Sequence, residues 1–566
     1  MTRVASGPAG SGEADLWCTY AAVRTLAWLG RTDAVDDRAG VRACLTGRRN
    51  ADGGYAWSRG MASDAWATYY CTQALAELGE AVPQADRTRD WLRDTWSGEA
   101  YGMTPGQAPD VWATHFSTRT ARTICGDTVP DRAALTGWLR ALQSPDGGLC
   151  WTPGDAEHGD ADVRACYYGV MSWLEAGSGD PPPWDVPRLV AWLRRRQDRD
   201  GGFRFTEAAE VPCLWATYRA TAALAALGAA PRDPAAVIFW LLGMRGGSGA
   251  FVRWAGYPVE DVWAAFCAVG TLRALGAPTG LVEAPVVARI RAVACPGGYT
   301  YREASLAADA LTTAAVILSN GGGGDAAART WLEGCQLPNE GGVMYMPGRG
   351  AEVRCTLWAL AAGAFAGDAV GRSRIARWIV DLQNPDGGFG HWSGRGSDLV
   401  STVSAAEILR LLGVAPRRGL DAERLLGFVR SCASGAGHAP VPGGRPTLRS
   451  GLQAHRLLAA LGHPDASAVT RLLAAHRVRG GGWANEGNRM PDLLSTYEAV
   501  LTTDRLGLPL DGSPVARFLD STDRDGSTAW TPLAPTGGGM LADCLGGLLR
   551  TRLSRRRRPL PAVVLS

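Results

Sequence analysis

The stretch Trp138–Trp151, WLRALQSPDGGLCW, decides the fold. Its first half has helical spacing, with apolar residues on one face and arginine on the other. Its Pro-Asp-Gly-Gly cannot continue a helix, because proline removes a donor and consecutive glycines favour a turn. The same figure returns as WLRRRQDRDGGFRF at Trp192–Phe205 and WIVDLQNPDGGFGHW at Trp378–Trp392. Looser forms are NADGGYAW from Asn50, CQLPNEGGVMY from Cys335, RGGGW from Arg479 and DRDGSTAW from Asp523.

Between these turns lies a second element, an acid followed by an Ala-rich apolar run that ends in Leu-Gly or a close variant. Examples are ADLWCTYAAVRTLAWLG from Ala14, SDAWATYYCTQALAELG from Ser63 and EDVWAAFCAVGTLRALG from Glu260. From Asp15 through Asp64, Asp110, Asp162 and Glu210 to Asp261 the spacing is roughly 48 residues, in the range of helical-pair repeats. Later copies begin at Glu352, Ser397 and Pro491, and weaker ones near Ala304, Pro446 and Gly539, so that twelve fit the chain. The Ala-rich helix is apolar nearly all round and is expected to be buried; the helix before each Gly-Gly turn carries charge on one face and is expected outside. Alternating inner and outer helices predict an all-α protein of two (α/α)6 barrels. The expected division is 1–285 and 286–550, with a basic tail over 551–566.

Composition agrees with a globular reading. The chain has 566 residues, 46% hydrophobic and 20% charged, which is enough apolar material for large cores and excludes wholesale disorder. A formal charge of +3 offers no cationic face for nucleic acid. All the basic residues are arginine, read as compositional bias. The start MTRVASGPAGSGEADLW lacks the apolar core of a signal peptide, and no apolar run reaches spanning length, so a cytoplasmic protein without a transmembrane segment is expected. Thirteen cysteines, an odd number without CxxC pairs, read as reduced and mostly buried thiols. The 22 tryptophans are the compositional excess that needs a structural reason.

The Gln-x-x-Asp-Gly-Gly turns with nearby aromatics resemble the repeats of squalene–hopene and other class II terpenoid cyclases, and equally those of protein prenyltransferase β subunits, over most of the chain from Leu16 to Leu549. The resemblance implies an α/α toroid and a small-molecule isoprenoid substrate. Asp162-Val163-Arg164 resembles the start of a prenyltransferase helix whose arginine faces the isoprenoid, and Glu352-Val353-Arg354 repeats the theme. The zinc site of those enzymes needs Asp-x-Cys and a later histidine. Here Asp110-Val111-Trp112 and Asp261-Val262-Trp263 put tryptophan in the thiol's place, and no metal ligands are assigned; zinc is not expected. His115 is the one histidine near an inner-helix start and reads as a packed core residue.

Class II cyclases protonate an alkene with an Asp-x-Asp-Asp carboxyl tuned by its neighbours. The nearest remnant is Asp309-Ala310-Leu311-Thr312, with leucine where the donor stands; Asp398-Leu399-Val400-Ser401 and Asp492-Leu493-Leu494-Ser495 share that outline. No Asp-Asp-x-x-Asp run for Mg²⁺ is present, although a diphosphate substrate would bring Mg²⁺ into consideration. Asp309 and Asp162 are the candidate catalytic residues.

Candidate substrate-binding residues lie at the helix starts. In the first ring Trp17, Trp66, Trp112 and Trp263 stand two residues after an acid, which predicts an acidic, tryptophan-lined funnel suited to a cation, with helix capping and repeat packing as the competing explanation. In either ring Arg164, Arg354 and Arg449 are placed to bind a diphosphate. Arg555–Arg558 reads as a solvated, disordered tail, with a weak hold on an anionic membrane surface or a diphosphate as the alternative. Gly321–Gly324 reads as a flexible loop. Together these predict a divergent terpenoid cyclase working by carbocation chemistry; the rivals are a prenyltransferase and a non-catalytic toroid that binds a lipid or protein partner.

Overall fold

The computed structural model describes residues 14–564 apart from 58–61, 126–128, 160, 178–180, 208, 210, 258, 303–307, 322–324, 338–339, 346–349, 394, 415–418, 436, 487–489 and 555–558. The chain divides into one compact unit over Glu13–Ala307 and another built from Ala308 onward. The division falls after 307 and not after 285, because the helix Gly280–Ala292 and the strand pair Ala294–Cys295 with Gly298–Tyr299 still belong to the first ring.

Inner helices are labelled α1–α12. In the first unit they are α1 (Leu16–Trp28), α2 (Ala65–Glu77), α3 (Val111–Cys125), α4 (Val163–Glu175), α5 (Leu214–Ala226) and α6 (Val262–Ala274). Each packs on the next and α6 packs on α1, so the ring closes. In the second unit α7 (Ala310–Ser319), α8 (Val353–Ala361), α9 (Leu399–Leu411), α10 (Leu448–Ala460), α11 (Leu493–Leu506) and α12 (Gly539–Ser554) close in the same way through α12 and α7. The all-α, two-ring toroid expected from the repeats is the observed architecture. Outer helices such as Arg132–Arg140, Val186–Arg195 and Ala369–Asp381 alternate with them.

The repeated turn has a physical reason at each position. Its first glycine is left-handed, with φ +100° at Gly147 and +108° at Gly201. A Cβ there would sit 2.9 Å from Arg188 O and 2.1 Å from Ala236 O, in the backbone of the next outer helix. A Cβ on the second glycine would strike an indole: Trp192 at 2.6 Å from Gly148, Trp240 at 2.5 Å from Gly202. The outer-helix tryptophans therefore lie flat against glycine, which accounts for part of the tryptophan excess.

The glutamine ties one repeat to the next. Gln197 Nε2 donates to Asp233 O (2.9 Å) while its Oε1 accepts from Asp233 N (3.2 Å), and Asp233 in turn caps the outer helix Pro234–Gly243. Gln143 and Gln383 do the same at Asp185 and Asp421. Removing this link leaves the part-buried amide and carbonyl of Asp233 without their side-chain partner, so Gln197→Ala is expected to cost about 1 to 2 kcal/mol. Calorimetry should register this as a drop of several degrees in the melting transition.

A second set of links runs along one rim. The first amide of nine of the twelve inner helices donates to a carbonyl of the following turn, as Val111 does to Trp151, Val163 to Phe205, Val353 to His391 and Leu399 to Pro440, at 2.8 to 3.0 Å. Asp15 N to Tyr299 O (3.1 Å) joins the first repeat to the last of its ring. All inner-helix N-termini of a unit thus gather at one mouth. No helix among the described residues is long and apolar enough to cross a membrane, and the described cysteines are free and mostly buried.

Candidate functional site

At the mouth of the first ring the carboxylates act as caps. Asp15, Asp64, Asp110 and Asp261 accept from the amides of Cys18, Ala67, Ala113 and Ala264 at 2.7 to 2.8 Å. The fifth inner helix departs from the expected pattern: its cap is Cys213, which accepts from Ala216 N, while Glu210 lies outside the described residues. Two of the acids are also neutralised by arginine. Asp261 forms a two-point pair with Arg253 (2.5 and 3.1 Å), and Asp162 one with Arg164 (2.7 and 3.0 Å). The Arg164 guanidinium lies over Phe205 and Trp151, 4.6 and 5.3 Å from the ring centres.

The expected funnel is a packed plug. Trp17 meets Trp263 at 4.6 Å, Trp66 at 5.1 Å and Trp215 at 5.6 Å between ring centroids. Because α1 and α5 are not neighbours in the ring, the Trp17–Trp215 contact crosses the lumen. Trp66 continues to Trp112 at 5.2 Å. Trp17, Trp66, Trp112 and Trp263 are each no more than 4% exposed. Edge-to-face indoles fill space efficiently, so the carboxylates are left to their capping role.

Below the indoles is a layer of phenols and cations. Tyr20 and Tyr69 share a hydrogen bond of 2.8 Å, and Arg219 donates to Tyr168 OH (3.0 Å) while lying 4.8 Å from the Trp215 ring centre. His115 is buried here, and burial, then the nearby Arg119 and Arg219 charges, hold its pKa well below the usual histidine value. The unfolded chain therefore takes up a proton before the folded one does as pH falls. Stability is expected to be full above pH about 6.5 and to drop below it by up to about 1.4 kcal/mol per pH unit for this group. Melting curves between pH 7 and 5 should show that slope reduced in His115→Gln.

The second ring's mouth is built differently. The carbonyl that accepts from the first amide of the preceding inner helix belongs to Met103, Trp151, Phe205 and Arg253 in the first ring, and to Tyr345, His391, Pro440, Asn485 and Trp530 in the second. His391 Nδ1 is 2.9 Å from Ser401 Oγ and 3.5 Å from Glu352 Oε1, and its Nε2 is 3.7 Å from Asp398 Oδ2. Ser401 contacts Asp398 twice, by amide to Oδ1 (2.8 Å) and hydroxyl to Oδ2 (3.0 Å). Burial raises the Asp398 pKa despite the Ser401 donors and the Arg395 and Arg354 charges, and lowers that of His391 well below its usual value. A neutral imidazole and a carboxyl inclined to hold its proton are therefore joined through one hydroxyl.

Two arginines act on this group: Arg354 donates through Nε to Glu352 (2.5 Å), and Arg395 is 6% exposed with its guanidinium 5.3 Å from the Trp392 ring centre. Arg449 starts the next inner helix but one, where its backbone amide donates to Asn485 Oδ1 (3.1 Å). Arg354 and Arg449 are thus brought to one rim with Arg395, whereas Arg164 stands in the other unit. Asp309 caps α7 by accepting from Thr312 N (2.7 Å). Cys355 donates to Glu352 (2.6 Å), but among the described residues no set of three or more His, Cys, Asp or Glu side chains could hold a metal ion. The described residues do not assemble the zinc site that the prenyltransferase resemblance implies.

A family model for the prenyltransferase alpha-alpha toroid domain matches residues 4–94, 57–203, 183–316 and 307–444. Among solved structures the chain is similar to ent-copalyl diphosphate synthase from Streptomyces platensis at 17% identity, covering 96% of this chain and 95% of that one with a TM-score of 0.44. It is similar to the type II terpene cyclase MstE from Scytonema at 15% identity, covering 48% and 88% with a TM-score of 0.34. Candida albicans protein geranylgeranyltransferase-I complexed with GGPP is similar at 14% identity over 62% and 84%, with a TM-score of 0.27. No curated protein matches the chain.

Proposed function

The chain belongs to the prenyltransferase alpha-alpha toroid domain family, and from that premise we propose that it is a terpenoid cyclase whose proton donor sits at the mouth of the second ring. The observation that carries the reading is Asp398, a buried carboxyl with a raised pKa held against Ser401 and His391. A protonated Asp398 gives its proton to a terminal alkene carbon of the substrate: an O–H bond breaks, a C–H bond forms, and the positive charge moves to the neighbouring carbon. The Ser401 hydroxyl can accept from Asp398 and donate to His391 Nδ1, so the site can shuttle the proton that the final carbocation releases. Arg354, Arg395 and Arg449 suit the diphosphate of a prenyl diphosphate, since guanidinium binds phosphate oxygens in pairs.

Asp309 stands on the same rim and is the rival donor. Burial as the largest influence on Asp398, together with its hydroxyl and imidazole neighbours, favours Asp398. The prenyltransferase reading would have Arg164 face an isoprenoid, but Arg164 is bound to Asp162 and covered by aromatic rings. The test is incubation with geranyl, farnesyl and geranylgeranyl diphosphates followed by product analysis. A cyclised product that retains its diphosphate supports the reading; absence of product across the panel with the folded protein removes it.

A further inference from the structure

The lumen of the second ring contains a piece of the chain itself. Leu560, Ala562, Val563 and Val564 are buried, the two valines to 1% exposure or less. Leu560 N donates to Asp504 Oδ2 (3.3 Å), Tyr497 OH to Pro561 O (3.0 Å) and the Trp358 indole to Val564 O (3.3 Å). Asp504 is itself fixed by Arg552 at 2.6 and 2.8 Å. Tyr497 and Asp504 belong to α11 and Trp358 to α8, and these helices are not neighbours: α9 and α10 separate them one way round the ring, α12 and α7 the other. A segment bonded to both lies between them, inside the ring.

Its course follows from the same contacts. Asp504 is near the end of α11 and Tyr497 about two turns earlier. The segment therefore enters from the C-terminal ends of the inner helices, reaches the level of Tyr497 at Pro561 and crosses from there to Trp358, six residues into α8. Leu-Pro-Ala-Val-Val carries no charge and presents methyl branches, as a polyprenyl chain does. An alkene offers π electrons to the donors of Tyr497 and Trp358 that now bind carbonyls.

We propose that the second lumen is the channel for the substrate's apolar chain and that residues 560–564 are its intramolecular stopper, which must leave before a guest enters. The identity of the guest rests on the function proposed above; the presence of the stopper does not. The test measures calorimetric binding of geranylgeranyl diphosphate to the full-length protein, to Val563→Asp/Val564→Asp and to Tyr497→Phe. The double variant is expected to bind at least tenfold more tightly than the wild type and Tyr497→Phe to fall between them. A synthetic peptide of residues 559–566 should compete with the diphosphate on the double variant.

Equal affinity in all three proteins, or a peptide that does not compete, overturns the proposal. So does a double variant that loses its cooperative melt while Tyr497→Phe melts and binds as the wild type does, because the segment is then part of the core. Tight binding by the double variant without product from any protein removes the cyclase reading and leaves the stopper in place. Product formed at the same rate by wild type and double variant removes the stopper and leaves the cyclase reading.

Discussion

Asp398→Asn is expected to lower cyclisation by about 10³-fold or more while leaving the melting temperature nearly unchanged. Asparagine caps a helix as well as aspartate does, so the bond from Ser401 N to the 398 side chain survives and α9 still begins at Leu399. What disappears is the acidic proton. The same substitution at Asp309, which caps α7 through Thr312 N, is expected to retain most activity. Comparing the two variants by product formation and by melting separates a donor from a cap; equal losses in both would return Asp309 to the donor role. For wild-type turnover, the raised Asp398 pKa gives the sign of the pH profile: activity falls as pH rises through that value, because only the protonated carboxyl donates.

Gly201→Ala is expected to destabilise the first unit by about 4 kcal/mol. Two costs add: a left-handed φ of +108° that a side chain rarely adopts, and a Cβ placed 2.1 Å from Ala236 O and 2.4 Å from its carbon, atoms of backbone that cannot turn aside. Gly228→Ala is the control. It has a positive φ of +69° but nothing within 4 Å, so only the conformational cost of about 1 kcal/mol applies. Denaturant melts of the two variants give the difference directly; equal destabilisation would mean that the close approach of turn and outer helix contributes nothing.

These two substitutions also mark what the sequence carries. The Gly-Gly turns, their glutamines and the tryptophans that lie on glycine recur with a fixed spacing, and each enforces a contact between consecutive repeats. Twelve inner helices and two rings were therefore readable from the sequence, although among the described residues only eleven outer helices accompany them. The contents of the rings were not, because periodicity gives a residue's place along a helix and not what it meets across a lumen. Trp17 has the same local setting whether it borders an opening or touches Trp215 on the far side, and only ring closure decides.

The second mouth was partly legible. Arg354, Arg449 and Asp398 are visible as residues at helix starts, but His391 lies in a loop and carries no helical signature. Its signal was a register one. Aligning the turns on Gly-Gly puts His391 where Trp57, Trp151 and Phe205 stand, but Met103, Arg253, Pro440 and Asn485 stand there too, so the position alone does not single out the imidazole. Leu560–Val564 gave the opposite lesson. Four arginines at 555–558, which lie outside the described residues, suggested a solvated tail, yet the apolar run after them is buried through Leu560, Ala562 and the two valines with no helical period to announce it.

The most direct measurement is cyclisation of geranylgeranyl diphosphate in D₂O. Protonation from Asp398 places one solvent-derived hydrogen on a carbon of the former terminal alkene, so the expected product carries a single deuterium there and keeps its diphosphate. A product that forms without deuterium, or with loss of diphosphate, would contradict a proton donor at the mouth of the second ring.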